Sequence, residues 1–229
     1  MPRIVHELSP ITLLGGGNVE QSDLIFANDY APRLIAADGG ADSAVSFGWF
    51  PETVIGDFDS LTEKTRQILG SQRLFQIEEQ DSTDFDKCLR SIDAPLILGM
   101  GFTGRRHDHT LAAFSTLAAR ADKRCVLFAE EDLIFLAPPQ ISLDLPEGMR
   151  FSLYPLGPVN GTSEGLHWPI DGIPMAPNGR VGTSNKVSGP VRLTFDAPHM
   201  LILVPKEARD KILAALLEEP SKWPDPAVR

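Results

Sequence analysis

The chain has 229 residues, of which 42% are hydrophobic and 23% charged, so it is long enough to bury a substantial core and is not composed like a disordered chain. Its formal net charge of −10 excludes the overall basic character of proteins that bind nucleic-acid backbones, and we expect no nucleic-acid partner. No apolar run approaches the length of a membrane span and no targeting segment is recognisable, so we expect no membrane partner. Its two cysteines, Cys88 and Cys125, have no disulfide or metal-ligand spacing, which favours a reduced, cytoplasmic protein.

The first 138 residues alternate short β-rich runs with helical patterns. The predicted strands are 11–14, 34–37, 53–55, 73–77, 95–98, 124–129 and 133–136. The clearest helical periodicity lies at 84–92 and 109–121, where apolar residues recur at spacings of three and four. Alternation of this kind predicts an α/β domain with a mainly parallel sheet and helices on its faces.

The pattern changes at Pro138-Pro139. Beyond this point short β-rich runs are separated by turn residues, which predicts a smaller, all-β antiparallel domain. The predicted strands are 149–154, 163–168, 180–184, 191–195 and 200–204. A final helix is predicted at 206–218, followed by a loose tail from Pro220. We therefore expect two domains, 1–138 and 139–229.

Acidic residues follow the predicted strands of the first domain, where ligands of α/β sheets bind. They are Asp38, Asp57, Asp59, Asp81, Asp84 and Asp108. Several carboxylates at one edge repel each other unless a cation lies among them, and oxygen ligands of this kind suit Mg²⁺. An Asp near a helix start is also a common cap or dipole partner, and Thr83 is a candidate N-cap of the helix that begins at Asp84. Capping explains Asp57 and Asp59 least well, because they flank one residue in a turn.

The segment from Gly99 to His109 combines three glycines with two arginines ahead of a predicted helix. Glycines allow the backbone to approach a phosphate closely, and the helix start adds free N–H groups, so we predict a phosphate-binding loop. The run Gly15–Gly17 is weaker evidence, because such runs also form simple turns. His107 and His109 are candidate general bases, although a structural role is the more common one for a histidine in this position.

Two polar segments stand out in the second domain, Gly165–Trp168 and Gly182–Lys186. Small polar residues between β-rich runs form either a turn or a polar clamp for a ligand, and taken alone the second segment favours a turn. Trp168 is expected in the core by default, yet its ring also suits a cationic heterocycle.

Taken together and in chain order, six segments resemble the thiamine pyrophosphokinase family. They are Asp38–Asp42, Pro51–Ser60, Asp81–Leu89, Arg106–Ala112, Gly165–Trp168 and Ser184-Asn185. The resemblance implies an N-terminal α/β domain, a C-terminal β-sandwich domain, and a homodimer with active sites between subunits. It also implies transfer of a diphosphate from ATP to the hydroxyethyl group of thiamine, which gives thiamine diphosphate and AMP.

The resemblance also assigns roles to individual residues. It implies Mg²⁺ ligation by Asp57, Asp59 and Asp84, and nucleotide or phosphate contacts by Asp38, Gln80, Asp81, Arg106 and Asp108. Lys87 and Arg106 would add positive charge around the transferred phosphates. Thiamine contacts are implied for Ser184, Asn185 and Trp168.

The sequence departs from the family pattern at two positions. Arg105 stands where the family commonly has a second glycine, and Ala113 where an asparagine often follows. Two other functions stay open beside the kinase. One is a metal-dependent phosphohydrolase that uses the same acids with water as nucleophile, and the other is a non-catalytic nucleotide or thiamine sensor, which the two departures suggest.

Overall fold

The computed structural model describes residues 3–104 and 106–225. The chain forms two compact units. Unit 1 runs to Thr116 and adds Leu127–Glu130, whereas unit 2 consists of Leu117–Val126 and the chain from Glu131 onward. The sequence-based boundary after residue 138 stays a prediction.

Fourteen strands and six helices follow one another along the described residues. The strands are β1 (Val5–His6), β2 (Ile11–Leu14), β3 (Arg33–Ala37), β4 (Thr53–Gly56), β5 (Leu74–Gln76), β6 (Ile92–Asp93), β7 (Ile97–Met100), β8 (Cys125–Phe128), β9 (Asp132–Leu136), β10 (Gln140–Leu143), β11 (Arg150–Pro155), β12 (Gly161–Leu166), β13 (Gly182–Phe195) and β14 (Met200–Pro205). The helices are α1 (Gln21–Tyr30), α2 (Gly40–Ser46), α3 (Glu63–Leu69), α4 (Asp84–Ser91), α5 (His107–Ala119) and α6 (Arg209–Glu218).

Unit 1 contains a parallel sheet in the order β7-β2-β3-β4-β5, as the alternation of strands and helices predicted. All residues of β2, β4 and β7 are buried, which is typical of parallel strands covered on both faces. The strand β5 is short and half-exposed at the edge. A two-residue parallel pair, β1 with β6, was not predicted from the sequence.

Local chemistry fixes where the helices near the strand ends begin. The Thr83 side chain accepts a hydrogen bond from Asp86 N over 3.2 Å, so the predicted N-cap is confirmed and Asp84 is the first residue of α4. Helix α2 begins directly against the end of β2, where a Cβ on Gly40 would stand 2.1 Å from the Leu14 carbonyl oxygen. Only glycine permits this approach.

Unit 2 is rich in strands, as predicted, and its strands pair antiparallel in the order β10-β13-β11-β14-β9. Where two strands were expected at 180–184 and 191–195, the structure has the single 14-residue strand β13. Its first part pairs with β11, and its last part with β10 and β12. Polar and small residues inside the strand resemble turn residues in sequence, but a β-bulge rather than a turn accommodates them.

The end of the chain is better anchored than expected. Trp223 Nε1 donates to the Ala137 carbonyl over 2.8 Å, and the Arg124 guanidinium donates to the Glu219 and Ser221 carbonyls. The prediction of a loose tail from Pro220 is therefore wrong as far as Trp223. Within the same described ranges, no helix is both long and apolar enough to cross a bilayer.

Candidate active site

A cleft of about 820 Å³ opens at the carboxyl ends of the parallel strands of unit 1. Loops after several strands form its wall, because the carboxyl ends of parallel strands meet at one edge of a sheet. Its lining includes Gly15–Gly17, Asp38, Asp57, Gln80, Asp84, Lys87 and Arg106. Within the described part of the chain, Asp59, Asp81 and Asp108 do not line it.

Two glycine-rich loops pack against each other beside the cleft. Gly17 N donates to the Gly101 carbonyl over 2.8 Å, and a Cβ on Gly17 would stand 2.6 Å from that same oxygen. Gly101 itself has φ +73°, a conformation that favours glycine. The glycines allow the two loops to approach this closely, and a glycine-rich backbone at a cleft also suits the close approach of a phosphate.

The turn after β4 directs two carboxylates away from the core. Phe58 has φ 67°, and its side chain is buried in a cluster that contains Ala36 and Leu61. The residues on either side, Asp57 and Asp59, are held together because Asp59 N donates to Asp57 Oδ1 over 3.2 Å. A left-handed conformation at a bulky residue costs free energy and is found most often at functional sites.

Asp38 joins these two acids. The carboxylates of Asp38, Asp57 and Asp59 each offer one oxygen, and these oxygens lie within 4.8 Å of one another. The Asp38 side chain is 3% exposed, its Oδ2 accepts from Ser60 N over 3.2 Å, and its Oδ1 is buried without a hydrogen-bond partner among the described residues. Burial, followed by the nearby charge of Asp84, raises the Asp38 pKa to about 6.

Lys87 provides positive charge inside the same cluster. Its side chain is 1% exposed, and its Nζ lies 2.9 Å from Asp57 Oδ2 and 3.1 Å from Asp84 Oδ1. The hydrogen bond from Lys87 lowers the pKa of Asp57 against the effect of burial, whereas burial raises the pKa of Asp84 despite Lys87. Burial alone would lower the Lys87 pKa, but the two carboxylates outweigh it and raise the pKa.

Other predicted site residues contact one another at the edge of the cleft. Gln80 Nε2 donates to Asp57 Oδ2 over 3.1 Å. The exposed Arg106 guanidinium donates to Asp108 through Nε over 3.2 Å and through NH2 over 2.6 Å, and this contact lowers the Asp108 pKa to about 2. Of the two departures from the family pattern, Ala113 lines the cleft, and Arg105 lies outside the described residues.

In unit 2 the predicted thiamine residues also lie close together. Asn185 is 4% exposed; its Nδ2 donates to the Trp168 carbonyl over 2.7 Å, and its Oδ1 accepts from Trp168 N over 3.1 Å and from Lys186 N over 2.8 Å. Ser184, at the bulge, has φ 62°. The expectation that Trp168 lies in the core is wrong, because the residue is 54% exposed, and its ring makes an edge contact with His167 at 4.4 Å.

The sequence analysis expected Asp38, Asp57 and Asp59 at one edge of the sheet, but it assigned Asp38 to nucleotide contacts and not to the group that could hold a metal. The signal that it lacked is strand order: β3 and β4 are neighbours and Ala37 pairs with Ile55, so the acids that follow the two strands emerge side by side. The sequence analysis gave Gly15–Gly17 too little weight for the same reason. These glycines follow β2, and only the strand order shows that β2 lies between β3 and β7. Asn18, which also lines the cleft, carried no recognisable signal, whereas Thr103 belongs to the predicted phosphate-binding loop and lines the cleft too.

Unit 1 therefore combines a parallel sheet, glycine-rich loops and carboxylates at the ends of adjacent strands. This combination defines the class of α/β proteins that bind a phosphorylated ligand at the carboxyl edge of the sheet.

Comparisons with known proteins narrow this class. Residues 27–128 match the family model described as thiamin pyrophosphokinase, catalytic domain, and residues 140–200 match the thiamin pyrophosphokinase vitamin B1 binding domain. The chain is 29% identical over 204 residues to thiamine pyrophosphokinase 1 of Oryza sativa subsp. japonica, which covers 74% of this chain and 77% of the relative.

Solved structures share the fold. Thiamin pyrophosphokinase from Candida albicans superposes with a TM-score of 0.74 at 17% identity, over 90% of this chain and 94% of that one. The yeast enzyme superposes with a TM-score of 0.73 at 18% identity, over 93% of this chain and 90% of that one. The chain belongs to the thiamine pyrophosphokinase family, whose enzymes transfer a diphosphate from ATP to thiamine.

Proposed function

We propose that this protein is a thiamine diphosphokinase in which residues 1–138 bind ATP and residues 139–229 bind thiamine. The observation that carries this proposal is the match of both family models, in order, to one chain. The cleft of unit 1 supports the first role, because its open glycine backbone and cationic Arg106 suit a triphosphate. A phosphohydrolase would not need a vitamin B1 binding domain, and a non-catalytic sensor would not need a catalytic domain.

The acidic cluster fits Mg²⁺ as the cofactor. One oxygen each of Asp38, Asp57 and Asp59 lies within 4.8 Å of the others, and Asp84 is close enough to raise the Asp38 pKa. The buried Asp38 Oδ1 has no partner among the described residues. Burial and then the charge of Asp84 raise the Asp38 pKa, and a cation beside the carboxylate would favour its ionised form. We assign the ligand oxygens to Asp57, Asp59 and Asp84, with Asp38 beside them. When bound, Mg²⁺ supplies charge neutralisation for the phosphates.

The chain's own residues then orient the reactants. Lys87 contacts Asp57 and Asp84 through its buried ammonium. It therefore offsets part of the negative charge of these two carboxylates. Arg106 is exposed and pairs with Asp108, so its planar guanidinium is accessible to phosphate oxygens once a ligand competes with that pair. Gln80 and Asp81 contribute to nucleotide binding from the loop before α4.

In the strand-rich unit we assign thiamine binding to Trp168, Ser184 and Asn185. The exposed Trp168 ring offers an apolar face, and a cationic thiazolium is attracted to such a face. We also propose that this unit is a β-sandwich, that the protein is a cytoplasmic homodimer, and that a second subunit completes the thiamine site. Undiminished activity of a monomer at high dilution would rule out the shared site.

The function is tested by incubating the protein with ATP, MgCl₂ and thiamine and then separating the nucleotides and thiamine esters. We expect AMP and thiamine diphosphate in equal amounts, because the thiamine hydroxyl attacks the β-phosphorus and AMP leaves. Stoichiometric ADP would refute diphosphate transfer. Phosphate release without thiamine would favour the phosphohydrolase, and binding without any product would favour the sensor.

A further inference from the structure

An ion pair outside the cleft lining ties helix α4 to the loop that precedes it. Arg90 NH2 lies 2.7 Å from Glu79 Oε1, and the Ser82 hydroxyl donates to the same oxygen. The Arg90 and Glu79 side chains are 19% and 29% exposed, so the pair is partly shielded from water. The bonds from Ser82 and then Arg90 hold the Glu79 pKa below its usual value.

The loop closed by this pair carries Gln80, which contacts the acidic cluster. Gln80 Nε2 lies 3.1 Å from Asp57 Oδ2, the oxygen that also accepts from Lys87 Nζ. Residues 78–83 contain no helix or strand, so regular backbone hydrogen bonding does not fix the position of Gln80. Side-chain contacts must therefore offset the entropy of ordering this loop.

Helix α4 links the two contacts. Lys87 and Arg90 are three residues apart and so lie on neighbouring turns of one helix surface. Lys87 holds Asp57 and Asp84 directly, while Arg90 holds the loop through Glu79. Arg90 NH1 also lies 3.9 Å from Asp86 Oδ2, but this contact is within α4 and does not reach the loop.

We propose that Glu79 and Arg90 are positioning residues of the nucleotide site, because their ion pair keeps Gln80 against Asp57 in the geometry that binds ATP. The inference rests on the proposed function of the cleft and deepens it. Glu79 and Arg90 act through Gln80, and among the described residues neither belongs to the cleft lining.

A double-mutant cycle tests the pair. The variants are Glu79→Gln, Arg90→Gln and the double variant, each of which keeps a side chain of related shape. We expect the KM for ATP to rise about tenfold in all three, as is common when the partner of a site residue is removed, with the KM for thiamine unchanged. The double variant should be no worse than either single one, because one interaction is lost in each case.

A Gln80→Ala background tests whether the effect passes through Gln80. In this background Glu79→Gln should cause no further rise in the KM for ATP. Arg90→Lys, which retains the charge, should have a KM for ATP close to that of the wild type. This variant replaces Arg90→Gln in the test if Arg90→Gln is unstable. Arg192→Gln is the control for loss of an arginine charge, because it breaks an exposed ion pair with Glu164 at 3.1 Å in unit 2; it should change neither KM.

Hydrogen exchange gives a readout that requires no turnover. The peptide that spans residues 78–83 should exchange faster in each Glu79 and Arg90 variant than in the wild type, and at the wild-type rate in Arg192→Gln. Unchanged exchange, equal effects on both substrates, or a full Glu79→Gln effect in the Gln80→Ala background would each overturn the positioning role. Absence of thiamine diphosphate in the wild-type assay, together with faster exchange and weaker ATP binding in the variants, would overturn only the proposed function.

Discussion

The two candidate ligand sites use polar groups in opposite ways. In unit 1 the buried Lys87 ammonium contacts Asp57 and Asp84, and Asp38 retains a buried oxygen without a partner among the described residues. In unit 2 the side-chain oxygen and nitrogen of the buried Asn185 both form hydrogen bonds with the backbone of Trp168 or Lys186. A buried oxygen without any partner indicates a place for a ligand, whereas an amide that bonds to the backbone of its neighbours through both its oxygen and its nitrogen also holds those neighbours in position.

The largest expected effect comes from Asp57→Asn. This change removes one charge from the cluster and weakens the contacts to Lys87 and Gln80. We expect kcat to fall by at least about 10²-fold at ordinary Mg²⁺ concentration, which is typical when electrostatic stabilisation of the reacting charge is lost. Circular dichroism should show an intact fold. Near wild-type turnover would show that Asp57 does not belong to the site. The acidic cluster of unit 1 would then not differ in function from the bonded polar groups of unit 2.

Lys87→Met tests whether the ammonium balances the acids. Removing it leaves Asp57 and Asp84 buried or half-buried without their cation, and breaking such a pair costs about 3–5 kcal/mol. The free energy of unfolding from urea titration measures the loss. Lys211→Met is the control, because Lys211 pairs with Asp144 at the exposed surface and should change stability by less than about 1 kcal/mol. Equal losses in the two variants would contradict the balancing role.

Asn185→Ala tests the positioning role in unit 2. It leaves Trp168 N and O without their side-chain partner, which we expect to cost about 1–3 kcal/mol of stability. The freed ring should raise the KM for thiamine more than the KM for ATP. Asn160→Ala, which breaks a similar side-chain contact with Asp196, should change neither KM. Equal effects on both substrates would indicate a purely structural Asn185.

The smallest effect concerns pH. The Asp38 pKa is raised to about 6 in the folded protein. The stability that protonated Asp38 contributes is therefore fully present below the Asp38 pKa of the unfolded chain, and it is lost as pH rises through 6. With a chelator present, the melting temperature of the wild type relative to Asp38→Asn should therefore fall between pH 4.5 and pH 7. A difference between the two proteins that does not vary with pH would show that burial and the charge of Asp84 do not raise the Asp38 pKa.

Much of unit 1 was predictable because its signals are local. The buried run 11–14 ends at glycines and matches β2 without error, and Thr83 caps α4 as predicted. The carboxylate cluster was only partly predictable, because it depends on β3 and β4 being neighbours, which no local pattern encodes. Two predictions for unit 2 were wrong. The bulge at Ser184 resembles a turn in sequence, and the exposed Trp168 has its backbone bonded to Asn185, which lies 17 residues further along the chain and is not visible to a local pattern.

Strand β13 has a consequence for synthesis of the chain. Among the described residues, β10 and β12 pair with β13, while β11 pairs with β13 and β14. All three strands leave the ribosome before Gly182, so they emerge without a partner strand and expose unpaired edges. The strand-rich unit must therefore assemble late, once residues 182–205 are available. A nascent chain that stalls earlier exposes three unpaired strands to neighbouring chains.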